Sequence, residues 1–546
     1  MSLSRLSLLL LGFGLSACQS PGDGTPPAEP RAPWPQGAGP RGDWSADGPD
    51  APAHFSVRRA ENVRWSTPLP ETGQGGIALA DRVGFVATMA RWSDELELNP
   101  EEAEQFKHAT EGRRVVGKHI DAHCFDRATG ELLWSRRLEG SVPAIYSYPF
   151  SDATSASPVT DGERVWFTNA GGRVACFDLE GELLWERAFD PTFDGPFNKQ
   201  FEPFLVHDVI GDERVPVLIH MEPFATPDGG LWHHLVGLHG LTGEFLWKSD
   251  DGLTHYNAPT LVQRAEGPCA LHARGGPHGV PERPVGVSLT RLTGVEAGRA
   301  VWRYEDPRGN HEGSLQTMAS TEHYALWILK KPHNALVLLD LESGRELREI
   351  SLTEGVTWRE FDPELGAHVT HTDHLLEQGV FPARYSLIAT DSHAFFQAYA
   401  TAWGKPSIDP PYCFARVDLE SGAVEYLEVP SGKDDQGVDI WRTPQAALAL
   451  NSRGVEVTGD DRSHWDGWDW VFNGSPTRVN ERLYFTLASG LVYQLDTSEE
   501  VFDDRAFLGL GDLGPAGATW SANSVSYADG QLYHRTAANL ICFEQK

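Results

Sequence analysis

The sequence predicts an all-β fold: an eight-bladed β-propeller of four-stranded antiparallel blades, the last blade closed by an N-terminal strand, with long loops on one face. Three observations predict it. A phrase repeats, the stretch around each copy reads as four short strands, and the two chain ends complement each other. The phrase CFDRATGELLW at Cys124–Trp134 returns as CFDLEGELLW at Cys176–Trp185 and as LHGLTGEFLW at Leu238–Trp247. Weaker copies lie at Leu289–Trp302, Leu339–Arg348, Val417–Tyr426 and Leu495–Glu500. Self-similarity at a spacing of roughly 50–70 residues means an array of one supersecondary unit.

The cleanest unit is Ser155–Phe189. SASPVTDG is a short strand closing on a turn, and RVWFTNAGG is a β-branched and aromatic strand ending in two glycines. RVACFD alternates, LEGE is a turn, and LLWERAF is a fourth strand. Alternating runs bounded by Gly, Asp and Asn are strands joined by hairpins. One such sheet cannot bury both faces, whereas radial stacking covers each sheet with its neighbours. The weakest units are the fourth, with a long third-to-fourth-strand turn, and the seventh, which lacks a Trp.

The ends settle the blade count. Ser521–Lys546 supplies three strands and stops where a fourth is due, while NVRWSTPLP at Asn62–Pro70 is an orphan fourth strand. Joining them completes an eighth blade and removes two exposed sheet edges. Trp65, Trp134, Trp185, Trp247 and Trp302 share one place in the fourth strand and are expected to dock adjacent blades. Cys124, Cys176 and Cys542 share one third-strand place, too far apart to bridge, and are expected to be small buried residues.

Residues 1–17 read as a signal peptide, one Arg followed by a short apolar run. Residues 18–55, rich in Pro, Gly and Asp, read as a flexible tether, and 56–546 as the propeller. Without residues 1–17 the chain holds 44 basic against 77 acidic residues, a formal charge of −33. Such a surface repels nucleic acid and anionic headgroups.

In a blade, first-to-second and third-to-fourth strand turns share one face of the disc; second-to-third turns and blade links share the other. The first class is short here. The second holds the insertions, among them Arg91–Gly117, Leu352–Pro382 and Glu428–Pro476. Insertions on one face of a rigid scaffold mark a binding side. That side is expected to collect His255, Asn257, Asn310, His311, Asn473 and Asn523 at the channel mouth. Trp465, Trp468 and Trp470 sit on a covering loop, beside carboxylates, as in a carbohydrate or peptide platform. His368, His371 and His374 have a spacing that can ligate zinc or copper, but a solvated polar loop is the preferred reading and no metal is expected.

The Asp-x-x-(Thr/Ser)-Gly-x-x-x-Trp signature resembles the Trp-docked repeat of pyrroloquinoline-quinone (PQQ) repeat propellers, a family holding quinoprotein alcohol dehydrogenases and BamB-type lipoproteins. The resemblance runs from Asn62 to the C-terminus. Leu15-Ser16-Ala17-Cys18 is similar to the bacterial lipobox, which implies acylation at Cys18 and a lipid-anchored place in the cell envelope, periplasmic or at the outer membrane. Two acyl chains hold a protein on a bilayer where one is marginal. The chain has no vicinal cysteines and none of the extended quinone motifs. The preferred expectation is therefore a non-catalytic lipoprotein scaffold for an envelope protein or ligand, with no catalytic residues and no cofactor. The alternatives are a PQQ- and Ca²⁺-dependent dehydrogenase and a glycan receptor.

Overall fold

In a computed structural model of the chain, residues 32–91, 114–142, 144–146, 152–191, 202–225, 231–253, 257–275, 285–308, 317–329, 332–400, 412–430, 449–452, 454, 456–457, 473–515 and 519–546 are described. Most of their strands form four-stranded antiparallel sheets, and their only helix is the 3-10 turn Asp504–Ala506. Blade 1 is Ala78–Leu79, Val83–Met89, Ile120–Asp126 and Leu132–Leu138; blade 2 is Val159–Thr160, Arg164–Asn169, Arg173–Asp178 and Leu183–Ala188. Blade 3 spans Phe204–Ile210 to Phe245–Gly252, blade 4 Thr260–Arg264 to Ala300–Glu305, and blade 5 Ala319–Ser320 to Glu346–Ser351. Blade 6 runs from Thr477–Val479 to Phe507–Asp512. Blade 7 joins Ser526–Ala528, Gln531–Arg535 and Asn539–Phe543 to the N-terminal strand Val63–Pro68, in antiparallel register Trp65↔Cys542.

The repeated phrase acts as one mechanical part. In blade 1, Asp126 Oδ1 accepts from the backbone N–H of Ala128 and Thr129, closing the third turn. Gly130 then adopts φ 76°, the left-handed region that glycine enters without strain. The Trp of the preceding blade lies on that glycine: a Cβ there would meet Trp65 at 2.5 Å. The indole also donates to a carbonyl of the same turn, Trp65 to Arg127 O (3.0 Å). Trp134 donates to Leu179 O (2.8 Å), Trp185 to Gly240 O (2.7 Å) and Trp302 to Leu341 O (2.9 Å). Trp247 lies against Gly298 of blade 4, 3.1 Å from its notional Cβ. In blade 5 Arg348 stands in the Trp place and donates to Glu420 O and Ser421 O. Each Trp thus links one blade to the next, and Trp65 carries the chain of contacts across the seam between the two ends.

Three expectations are corrected. The eight uniform blades become seven. The remaining unit is absorbed into a seven-stranded mixed sheet, ordered Ala367–His374, Val356–Asp362, Val424–Glu428, Tyr412–Asp418, His393–Tyr399, Phe381–Pro382, with Ile388–Ala389 also on His393–Tyr399. Its inner edge is broken into two-residue pieces around Pro382, which has no N–H to donate. Its outer strand carries Tyr426 in the Trp place, bonded to Leu352 O (2.7 Å). The Leu352–Pro382 insertion, expected as a polar loop over one face, is instead a hairpin added in parallel to Val424–Glu428 at the outer edge. A free strand edge recruits any chain of extended propensity nearby, and the insertion supplies one.

The third correction concerns the tether. From residue 32 onward the chain is packed: Trp34, Ala38, Trp44 and Phe55 are buried. Leu79 N–H bonds to Trp34 O (2.7 Å), Thr160 N–H to Pro35 O (2.7 Å), and Leu205 N–H to Gln36 Oε1 (2.8 Å). Leu261 N–H bonds to Gly42 O (2.9 Å) and Arg478 N–H to Trp44 O (2.8 Å). Ser45–Ala46 adds in parallel to the inner strand of blade 6. These partners lie on innermost strands, Leu79 and Thr160 at the ends that lead into the short turns, Leu205 and Leu261 near the strand starts. The segment therefore runs across the inner strands and reaches their starts at Gly37, beside Glu202 and Ser157. Its composition resembles a linker because the backbone must pass close to neighbours: a Cβ on Gly42 would meet Leu261 at 2.5 Å.

Candidate functional site: the inner wall of the channel

Where the inner strands begin, small polar residues tie neighbouring sheets together. Gly76 N–H bonds to Ser157 Oγ (2.7 Å), linking blades 1 and 2. Met318 N–H bonds to Ala258 O (2.8 Å), linking 4 and 5. Thr317 Oγ1 donates to Tyr385 O (2.9 Å) and lies 2.7 Å from Ser475 Oγ. Asn473 Nδ2 donates to Gln397 Oε1 (2.7 Å), Thr477 Oγ1 to Val525 O (2.7 Å), and Ser526 Oγ to Ile77 O (2.9 Å). These residues are buried. The hydroxyls and amides satisfy backbone groups that inner strands of only two or three residues leave without ladder partners.

Several buried polar atoms at this level have no hydrogen-bond partner among the described residues: Ser155 Oγ, Glu202 Oε2, Thr260 Oγ1, Gln397 Nε2, Asn473 Oδ1, Asn523 Nδ2 and Arg535 Nη2. They come from blades 2, 3, 4, 6 and 7 and from the mixed sheet. Unsatisfied buried groups are uncommon in native proteins and call for a physical explanation. The Gln397–Asn473 pair is informative whichever way its amides are assigned. Flipping both keeps the bond between them and still leaves one N–H donor and one carbonyl acceptor free. Asn523 is their neighbour, since a Cβ on Gly474 would lie 2.2 Å from Asn523 O.

Two ionisable groups share this wall. Arg535 is fully buried and donates to Gly75 O (3.4 Å) and to Ala87 O. Burial lowers its pKa to about 10, against the opposing charge of Asp152, so it is a cation at neutral pH. Glu202 Oε2 faces the crossing segment, 2.2 Å from where a Gly37 Cβ would be. Burial pushes its carboxyl up to about 7, against hydrogen bonds from Ser157 that lower it.

Of the expected binding residues, Asn473 and Asn523 lie together on this wall. Asn257 lies at the start of blade 4, where its Oδ1 accepts from Ala273 N–H (2.9 Å). Cys18, His255, Asn310, His311, Trp465, Trp468 and Trp470 lie outside the described residues. His368, His371 and His374 are all on the outer hairpin strand Ala367–His374, away from the channel. His368 contacts Glu428 O (2.7 Å) and Asp504, His371 contacts Glu360 (3.2 Å), and the rings of His371 and His374 are 5.7 Å apart. Among the described residues no group of three or more His, Cys, Asp or Glu is placed to hold a metal ion. Gln397, Glu202 and Arg535 were not foreseen. Arg535 had a signal: QLYHR in blade 7 carries a charge where RLYFT in blade 6 carries Thr486.

A family model described as "Outer membrane protein assembly factor BamB" matches residues 118–266. No curated protein sequence matches the chain. Among solved structures, quinohemoprotein alcohol dehydrogenase from Comamonas testosteroni is 12% identical with a TM-score of 0.47, covering 92% of this chain and 80% of that one. A europium-containing methanol dehydrogenase is 9% identical with a TM-score of 0.44, covering 92% and 89%. BamB from Moraxella catarrhalis is 12% identical with a TM-score of 0.33, covering 72% and 94%.

Proposed function

We propose that this is a non-catalytic, lipid-anchored cell-envelope protein whose propeller binds a segment of a protein partner at the channel end where the inner strands begin. The observation that carries the reading is the buried Gln397–Asn473 pair, with one free donor and one free acceptor beside the free Nδ2 of Asn523. That is the complement of a peptide group, which offers one C=O and one N–H. Buried amides lose little to a neutral ligand that satisfies them and reject one that does not. The family-model match over residues 118–266 supports an envelope setting.

A second reading, a PQQ-dependent dehydrogenase, draws on Arg535, whose free Nη2 and charge suit a carboxylate of such a quinone. The described residues fit that acid group but offer no converging set of oxygen donors for the accompanying cation. Crosslinking the full chain in envelope membranes from a photoreactive residue at position 473 tests the first reading. A protein adduct lost in Gln397→Ala with Asn523→Ala is expected. A quinone absorbance band and dye reduction on adding PQQ with Ca²⁺ would replace it with the second. Binding on a glycan array, with no protein adduct, would replace it with a glycan receptor.

A further inference from the structure

The crossing segment is built differently from the strands that close the disc. It meets the inner regions of blades 1, 2, 4 and 6 by one or two backbone hydrogen bonds each and blade 3 through the Gln36 side chain, and no four-stranded ladder depends on it. Between it and the closing strand Val63–Pro68 lies a clasp on the outer strand of blade 6. There Val57 N–H bonds to Asp512 O (3.1 Å), Arg58 N–H to Asp512 Oδ1 (3.0 Å), and Ser56 Oγ to Asp512 Oδ2. Phe55 fills the space beside Gly511, where a Cβ would meet its ring at 2.4 Å. The clasp isolates the closing strand from whatever happens upstream. The innermost reach of the segment is Gly37, between Glu202 and Ser157, at the level where the wall's free polar atoms begin.

We propose that residues 32–46 are a separable plug: it lies across the inner strands beside Glu202 and Ser157 and withdraws while the blades stay closed. Withdrawal uncovers the wall beside Glu202 and Ser157, and the clasp at Asp512 stops the displacement before the seam parts. Displacement breaks one or two hydrogen bonds per blade, unpairs Ser45–Ala46 and exposes the buried Trp34 and Trp44, but breaks no pairing within a blade.

Amide hydrogen exchange on the full chain tests this. Thr160, Leu205, Leu261 and Arg478 donate to plug acceptors and report its docking; Val165 and Phe177, paired within blade 2, report the disc. In the wild type all six are expected to be protected. Gly37→Glu drives a carboxylate against Glu202 and Ser157. It is expected to speed exchange at the four reporters by about 100-fold while leaving Val165 and Phe177 unchanged. A milder variant, Trp34→Ala, is expected to do the same by a smaller factor. Equal acceleration at all six sites would overturn the proposal, because the segment would then be part of one cooperative core. So would free exchange of the four reporters in the wild type, or no change in either variant.

Discussion

Trp302 and Gly344 make the blade contact that can be attacked from both sides. Trp302 is 8% exposed, its indole bonded to Leu341 O at 2.9 Å. A Cβ on Gly344 would lie 2.4 Å from its ring, and Gly344 holds φ 70°. Trp302→Ala removes a buried ring and strands a carbonyl, at about 3–5 kcal/mol. Gly344→Ala has two separable costs: about 1–2 kcal/mol for a side chain in the left-handed region, and about 1–3 kcal/mol for displacing the indole. In the Trp302→Ala background the second cost vanishes, because the ring is gone. The double variant should therefore be more stable than the sum of the singles by about 1–3 kcal/mol. Urea unfolding followed by far-ultraviolet circular dichroism reads this, provided the denaturant slope is the same in all four proteins. Strict additivity would refute the reasoning, since it would mean that the methyl and the ring do not compete for the same space.

Acylation is expected at Cys18, so Cys18→Ala should lose labelled fatty acid and leave the membrane fraction; label retained in that variant would remove the anchor. The thiols of Cys124, Cys269 and Cys542, raised by burial to about 12, 11 and 12, should ignore Ellman's reagent in the folded disc and react on unfolding; fast reaction in native buffer would show that the blades are not closed over them. Glu202, raised from 4.5 to about 7, stabilises the fold most below pH 4.5, progressively less as pH rises, and no less beyond about pH 7. The difference is up to about 3 kcal/mol by linkage. Plug-reporter exchange should quicken between pH 5 and 8 after correction for intrinsic rates, and Glu202→Gln should abolish that trend. A trend of the opposite sign would rule out the buried carboxyl as its source.

The repeat was legible because it is a periodic solution to one packing problem. Asp126, Thr129 and Gly130 build the turn, and Trp65 lies on the glycine; each appears at a fixed offset in the sequence. The composite blade was legible because Trp65 stood in the same frame without partners. Residues 32–55 were not, for a physical reason. A segment that lies across the inner strands joins almost no ladder, so Trp34, Trp44 and Phe55 have no period, and glycines set by close approach look like those of a linker. The mixed sheet was hidden likewise, because edge pairing by an inserted hairpin leaves no mark in the repeat. On the inner wall, Asn473 and Asn523 were visible at strand starts. Gln397 was not: inside HAFFQAY it reads as one more strand residue, and only the fold turns it toward Asn473.

The seam in blade 7 bears on how the molecule is made. Arg64 and Glu544 meet at 2.7 Å although 480 residues separate them. Strand Val63–Pro68 emerges among the first of the folded chain, and its partner Asn539–Phe543 among the last. Doubling a loop adds only about 0.6 kcal/mol to its closure entropy, so distance alone is a small thermodynamic burden. The burden is kinetic: throughout synthesis the growing stack has two unsatisfied edges, and no sheet can seal them until Asn539–Phe543 arrives. Non-local pairing of this kind is slow and exposed to aggregation. Asn539–Phe543 thus decides whether everything already folded stays in solution. A chain shortened by eight residues would lose Asn539–Phe543, leave Val63–Pro68 without a partner, and accumulate as an open stack, though each blade before it is intact.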